Sequence, residues 1–128
     1  MKRDMELVRE ILLKIESEIG ADNFARWYKG KLGELDKYDF DCVYAHVRML
    51  MEIGYINHRQ QALGPGQVSV GDLSWHGHDF LDSVRDDEIW RQTKDVAQKA
   101  GGFTVDLLKQ IAVGLIKTQL KKHTGVDI

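Results

Sequence analysis

Apolar residues first recur at helical spacing at Val8, Ile11, Leu12, Ile15 and Ile19, between Asp4 and Gly20. Aspartate caps helix starts and glycine suits helix ends, so a helix is expected over about 5–19. The pattern then breaks, because Phe24, Trp27, Tyr28 and Leu32 are interrupted by Gly30 and Gly33 and hold neither period for long. A short strand or loop is expected across 24–38. A second helical stripe, Val43, Val47 and Leu50 with His46, Met49 and Ile53 beside it, follows Asp39 and Asp41, either of which can cap it, and stops at Gly54. Residues 55–63 and 67–73 read as two strands of a hairpin about Gly64-Pro65-Gly66. Ser74 can cap the next helix, which carries Phe80, Leu81 and Val84, and Ile89, Trp90, Thr93, Val96 and Ala97 continue the pattern to Gly101-Gly102, with a break near 85–87. Thr104 opens the last helix, with Val105, Leu108, Ile111, Ala112 and Leu115 inward. Lys117, Lys121, Lys122 and His123 lie toward its C-terminus, where cations suit the helix dipole.

This order predicts a mainly α fold with a β-hairpin, of the α+β class, arranged as a winged helix-turn-helix-like domain with additional C-terminal helices. A single domain over 1–128 is expected, with its winged core at about 4–85 and the helical extension at about 86–125. Residues 43–53 take the recognition-helix position and 55–73 the wing. The run Leu50-Met51-Glu52-Ile53-Gly54-Tyr55-Ile56 resembles the join from recognition helix to wing in many such domains, and Leu73-Ser74-Trp75-His76-Gly77 resembles the sequence that closes a wing. Glycine lets the chain turn sharply out of a helix, and a hydroxyl caps the next one.

The chain also resembles the bacterial and prophage family catalogued as domain of unknown function 2513. The resemblance runs from Met1-Lys2-Arg3-Asp4-Met5-Glu6-Leu7-Val8-Arg9 through Tyr44-Ala45-His46-Val47-Arg48-Met49-Leu50 to Trp75-His76-Gly77-His78-Asp79-Phe80-Leu81-Asp82 and Arg85-Asp86-Asp87-Glu88-Ile89-Trp90. It implies a bacterial or phage origin and supports the fold, but it brings no activity and no catalytic residues.

A chain of 128 residues suits one core, and 43% hydrophobic with 30% charged residues is an ordinary globular balance. The net charge of −2 gives no general attraction to nucleic acid, so any such binding needs a local patch. Cys42 is the one cysteine, which rules out an intramolecular disulfide and fits a small core side chain in a reducing compartment. No apolar run follows Lys2-Arg3, and none reaches the roughly 18 residues of a membrane span. A cytoplasmic protein that does not engage membranes is expected.

The constellations that resemble reactive sites have better structural explanations. His76-Gly77-His78-Asp79, with His46 and His58 elsewhere, offers metal-ligand types, but on a helix residues 76 and 78 point about 200° apart. Asp79, Asp82, Asp86, Asp87 and Glu88 cluster, yet Asp82 with Arg85, and Asp86 or Asp87 with Arg91, have the spacing of a charge-paired helix face. Gly64-Pro65-Gly66 lacks the lysine and helix of a phosphate loop, and Cys42 beside Asp41 has no cation to activate it. No enzyme, cofactor or metal is expected.

The outward face of the second helix should carry Asp41, Tyr44, Ala45, Arg48, Met51 and Glu52. That is one cation against two anions. A DNA-binding dimer making about six to ten phosphate contacts needs about three to five cations per chain. Arg48, His58, Arg59, Arg26, Lys29, Lys31, Lys37 and Lys2-Arg3 supply enough if they converge, with Tyr44 and Met51 completing the DNA-contacting set. Alternatively Arg48 pairs with Glu52 along the helix, and Tyr44, Arg48 and Met51 serve a protein partner, since such residues also make binding hot spots. The last helix either packs within the chain or joins two copies as a homodimer.

Overall fold

Asp4 opens α1 (Met5–Glu18) as its sequence suggests, its carboxylate accepting the backbone N–H groups of Glu6 and Leu7. The computed structural model describes residues 1–61 and 64–125. These form five α-helices and one two-stranded antiparallel sheet, the α+β class expected. The chain divides into two compact units, Met1–His78 and Asp79–Ile128.

In the first unit, Leu7, Ile11, Leu12 and Ile15 of α1 are almost fully buried, each contributing roughly 2 kcal/mol of apolar transfer free energy. Helix α1 ends one residue before the expected Ile19, which becomes its extended C-cap. The ambiguous stretch resolves into β1 (Phe24–Tyr28) and a short 3-10 helix, Gly33–Lys37. Asp39 rather than Asp41 caps α2 (Phe40–Glu52), accepting the N–H of Asp41. Helix α2 buries Val43, Val47 and Leu50 and packs on α1. His46 ties the two helices. Its Nε2 accepts the Asp4 N–H at 2.9 Å, so the ring proton sits on Nδ1, which donates to the Cys42 carbonyl at 2.7 Å.

The sheet departs from the expected hairpin. Strand β2 (Gln67–Gly71) pairs antiparallel with β1, in the register Phe24 with Gly71, Arg26 with Ser69 and Tyr28 with Gln67. Residues 55–61 form no regular strand; they make one bridge, Ile56 with Leu73, and Asn57 N–H donates to Asp72 at 2.9 Å. The reason is Gln61. Its side-chain amide accepts from the Ser69 N–H and donates to the Ser69 carbonyl, each at 3.0 Å, so a side chain satisfies β2 where a strand backbone was expected. Ala62 and Leu63, the last residues of the expected first strand, lie outside the described residues.

The two joins read from the sequence meet each other. Gly54, at φ +79°, ends α2, with its N–H on the Met51 carbonyl and the Tyr55 N–H on the Leu50 carbonyl. Ser74 donates its hydroxyl to the Gly54 carbonyl, while the same oxygen accepts the Gly77 N–H at 3.0 Å and begins α3 (Trp75–Val84). A Cβ at Gly77 would lie 2.1 Å from the Tyr55 carbonyl oxygen. The glycine is therefore required by close approach of two backbones.

In the second unit, the helix break falls where expected, between Val84 and the start of α4 (Asp87–Ala100), which Asp86 caps through the Ile89 N–H. Arg85 pairs with Asp82 at 2.6 Å as anticipated. Arg91 pairs with Glu88, while Asp86 serves as the helix cap. Helix α5 (Val105–Thr124) is capped by Thr104 and packs on α4, burying Leu108 and Ala112, while Val105, Ile111 and Leu115 stay half-exposed.

Candidate nucleic-acid interface

Helix α2 presents Asp41, Tyr44, Arg48 and Glu52 along one line, at spacings of three, four and four residues. Arg48 is exposed and has no ion pair among the described residues; the Arg48–Glu52 pair does not form. Tyr44 is half-buried. Met51 does not belong to this line. It is 9% exposed, under the Gln61 amide, because it follows Val47 by four residues and Val43 by eight and so falls on the buried stripe.

The cations expected beside the helix separate into two groups. Lys29 and Lys31 converge with Tyr28, Phe40, Asp41 and the turn Pro65–Gln67 around a hollow of about 520 Å³ at the N-terminus of α2. The Lys29 N–H donates to the Gly66 carbonyl at 2.9 Å, which fixes the end of β1 to that turn. Both lysines are exposed and without an ion pair among the described residues. Lys37 faces elsewhere. Its Nζ sits 2.8 Å from a Glu10 carboxylate oxygen, whose other oxygen accepts the Tyr38 hydroxyl at 2.6 Å. The hydrogen bond from Lys37 to Glu10 raises the lysine pKa, and burial followed by the same carboxylate raises that of Tyr38. Lys37 is thus neutralised locally and leaves the expected cationic face.

His58 and Arg59 are exposed on the segment after α2, with Arg59 lying 4.7 Å above the Phe24 ring at the opposite end of β1 from Lys29. That separation is roughly 17 Å along a strand. Lys2 and Arg3 are exposed beside the α1 cap. The sequence did not single out Phe24 and Tyr28 as surface aromatics, although β1 alternates strictly: Phe24, Arg26 and Tyr28 are exposed, while Ala25 and Trp27 turn inward. Five residues of alternation were obscured by the glycines that follow.

The histidines do not assemble a metal centre. Both His46 nitrogens are engaged, Nε2 by the Asp4 N–H and Nδ1 by the Cys42 carbonyl, His76 and His78 flank Gly77, and His78 lies 4.0 Å from Glu16. Among the described residues, no three His, Cys, Asp or Glu side chains are placed to hold a metal ion. Burial, with Asp4 and Asp39 nearby, raises the pKa of Cys42, the opposite of thiol activation. No described helix is long and apolar enough to cross a membrane.

The family model described as "Hypothetical protein (DUF2513)" matches residues 2–103. The chain belongs to this family. Its match takes in the first unit and α4 and stops just before the Thr104 cap of α5. An uncharacterized protein of Haemophilus influenzae (strain ATCC 51907 / DSM 11121 / KW20 / Rd) is 31% identical over 124 residues, 94% of this chain and 99% of the relative. The likeness to that relative therefore reaches into α5, beyond the family match. No solved structure matches the chain.

Proposed function

We propose that this chain is a winged-helix DNA-binding regulator of bacterial or phage origin, acting in the cytoplasm without catalysing a reaction. The observation that carries the proposal is the pairing of β1, inserted between α1 and the 3-10 helix, with β2. The same strand pair brings the turn Pro65–Gln67 beside Phe40 and Asp41 at the start of α2, with Lys29 and Lys31 around the same hollow, which supports reading that turn as part of a wing. The 3-10 helix, the turn Tyr38-Asp39 and α2 then correspond to a helix-turn-helix. Helix α2 would enter the major groove with Arg48 on a guanine edge and Tyr44 on a base or phosphate, while His58, Lys29 and Lys31 meet the backbone. Homodimerisation through α5, which leaves much of its apolar arc half-exposed, would place two such helices on two half-sites.

The test is fluorescence anisotropy of the protein with genomic duplex fragments at two salt concentrations. Binding that weakens steeply with salt, and an Arg48→Ala variant at least about fivefold weaker at the preferred fragment, are expected. Absence of binding at low salt, or unchanged affinity in Arg48→Ala, would overturn the proposal. A second function, a winged-helix protein-interaction module, is favoured by one observation: Trp75 is 80% exposed at the start of α3, and Ile53 is exposed at the end of α2. Exposed tryptophan is a common anchor of protein interfaces. Salt-insensitive capture of a protein partner that Trp75→Ala abolishes would decide for that module.

A further inference from the structure

The outward face of β1 has a composition that neither the helix nor the wing accounts for. Phe24, Arg26 and Tyr28 stand on it at alternate positions, with the two rings 44% and 42% exposed. Phe24 and Tyr28 are four residues apart, about 14 Å along the strand, with Arg26 midway between them. Their cross-strand neighbours are Gly71, Ser69 and Gln67, so no large apolar side chain of β2 rises beside the rings. Gly71 is held to glycine: a Cβ there would lie 2.2 Å from the Asn57 carbonyl oxygen and 3.1 Å from Arg59 Cγ. The Arg59 side chain crosses above that glycine and places its guanidinium over Phe24.

Charge on this face has one sign over most of its length. Arg59 and Arg26 flank Phe24, and the Tyr28 end opens on the hollow of Lys29 and Lys31. No ion pair engages Arg26, Lys29, Lys31 or Arg59 among the described residues. Anions adjoining the face include Asp22, two residues before Phe24, Asp41, which shares that hollow, and Asp72, whose carboxylate accepts the Asn57 amide at 2.7 Å. Aromatic rings that alternate with cations on an open sheet face suit unpaired bases, which stack on the rings while the cations neutralise the backbone. Duplex DNA keeps its bases stacked on one another and cannot use the rings in this way.

We propose that the outward face of β1 is a separate binding site for single-stranded nucleic acid, with bases stacking on Tyr28 and on the Arg59 guanidinium that Phe24 supports, and with Arg26 and Arg59 neutralising the phosphates. It does not depend on α2 entering a major groove.

The test uses the full chain and a fluorescein-labelled oligo-dT of about 12 nucleotides, followed by anisotropy. Phe24→Ala and Tyr28→Ala should each weaken binding by about tenfold, Tyr28→Phe should retain it, and Arg48→Ala should leave it unchanged. Because both rings are substantially exposed, the alanine variants are expected to fold, which unchanged circular dichroism and melting would verify. No oligonucleotide binding, or equal binding by the folded alanine variants, would overturn the site. An Arg48→Ala variant that loses oligonucleotide and duplex binding together would overturn its separateness. Self-association of the parent that disappears in Phe24→Ala, without oligonucleotide binding, would assign the face to a second copy and overturn the proposal as well. Failure of duplex binding with retained oligo-dT binding would reject the major-groove role and leave this site standing.

Discussion

The outward faces of α2 and β1 lie in the same unit yet treat charge in opposite ways. On α2, Arg48 is accompanied by Asp41 and Glu52, whereas on β1 Arg26 stands between two exposed aromatic rings, one of them under Arg59. A helix turned toward duplex DNA needs phosphate neutralisation, and under the proposed function α2 would draw it from Lys29 and Lys31 at its start rather than from its own surface. The β1 face carries its cations on the strand and on the segment that crosses it. The difference teaches that a net charge of −2 conceals a locally basic strip, and that a lysine's usefulness depends on its partner: Lys37, held by Glu10, contributes to neither face.

The harshest way to separate the faces is Gly71→Ala. The added methyl would meet the Asn57 carbonyl and displace Arg59, at an expected cost of about 3 kcal/mol, with Arg59 lifted from Phe24. Urea unfolding measures the first effect, and an unchanged midpoint would show that the 57–59 segment yields freely. Next in size is removal of the anions from α2. Asp41→Asn with Glu52→Gln should tighten duplex binding by about threefold, the scale of exposed charge interactions. Weaker binding in an anisotropy titration would mean that these carboxylates contact the partner.

The smallest effect concerns the neutralised corner. Tyr38 has its pKa raised by burial and by Glu10, so folding favours the protonated phenol. Its contribution to stability is fully present below the ordinary tyrosine pKa of about 10 and declines as pH rises above it. Melting temperature between neutral and strongly alkaline pH should therefore fall more in the parent than in Tyr38→Phe. Parallel declines would contradict the stated environment of Tyr38.

Much of the fold was legible because it is local. Asp4 and Thr104 cap their helices within three residues, and Gly54 and Gly101 take the left-handed turns that end α2 and α4. What escaped the sequence is long in range. The partner of β2 is β1, across the whole of α2, and the Gln61 amide takes the place of a strand backbone that composition alone suggested. Of the candidate residues, Arg48 is exposed on α2, and Lys29 and Lys31 lie together around the hollow at its start. Lys37 was lost to a glutamate 27 residues away, and Met51 to a helical stripe one position wider than Val43, Val47 and Leu50 implied.

The salt dependence of duplex binding tests the account most directly, compared among the parent, a Lys29→Ala/Lys31→Ala variant and Lys37→Ala. The slope of log affinity against log salt should be shallower by about two in the double variant, about one per lost phosphate contact, and unchanged in Lys37→Ala. Equal slopes in all three proteins, or a loss confined to Lys37→Ala, would contradict it.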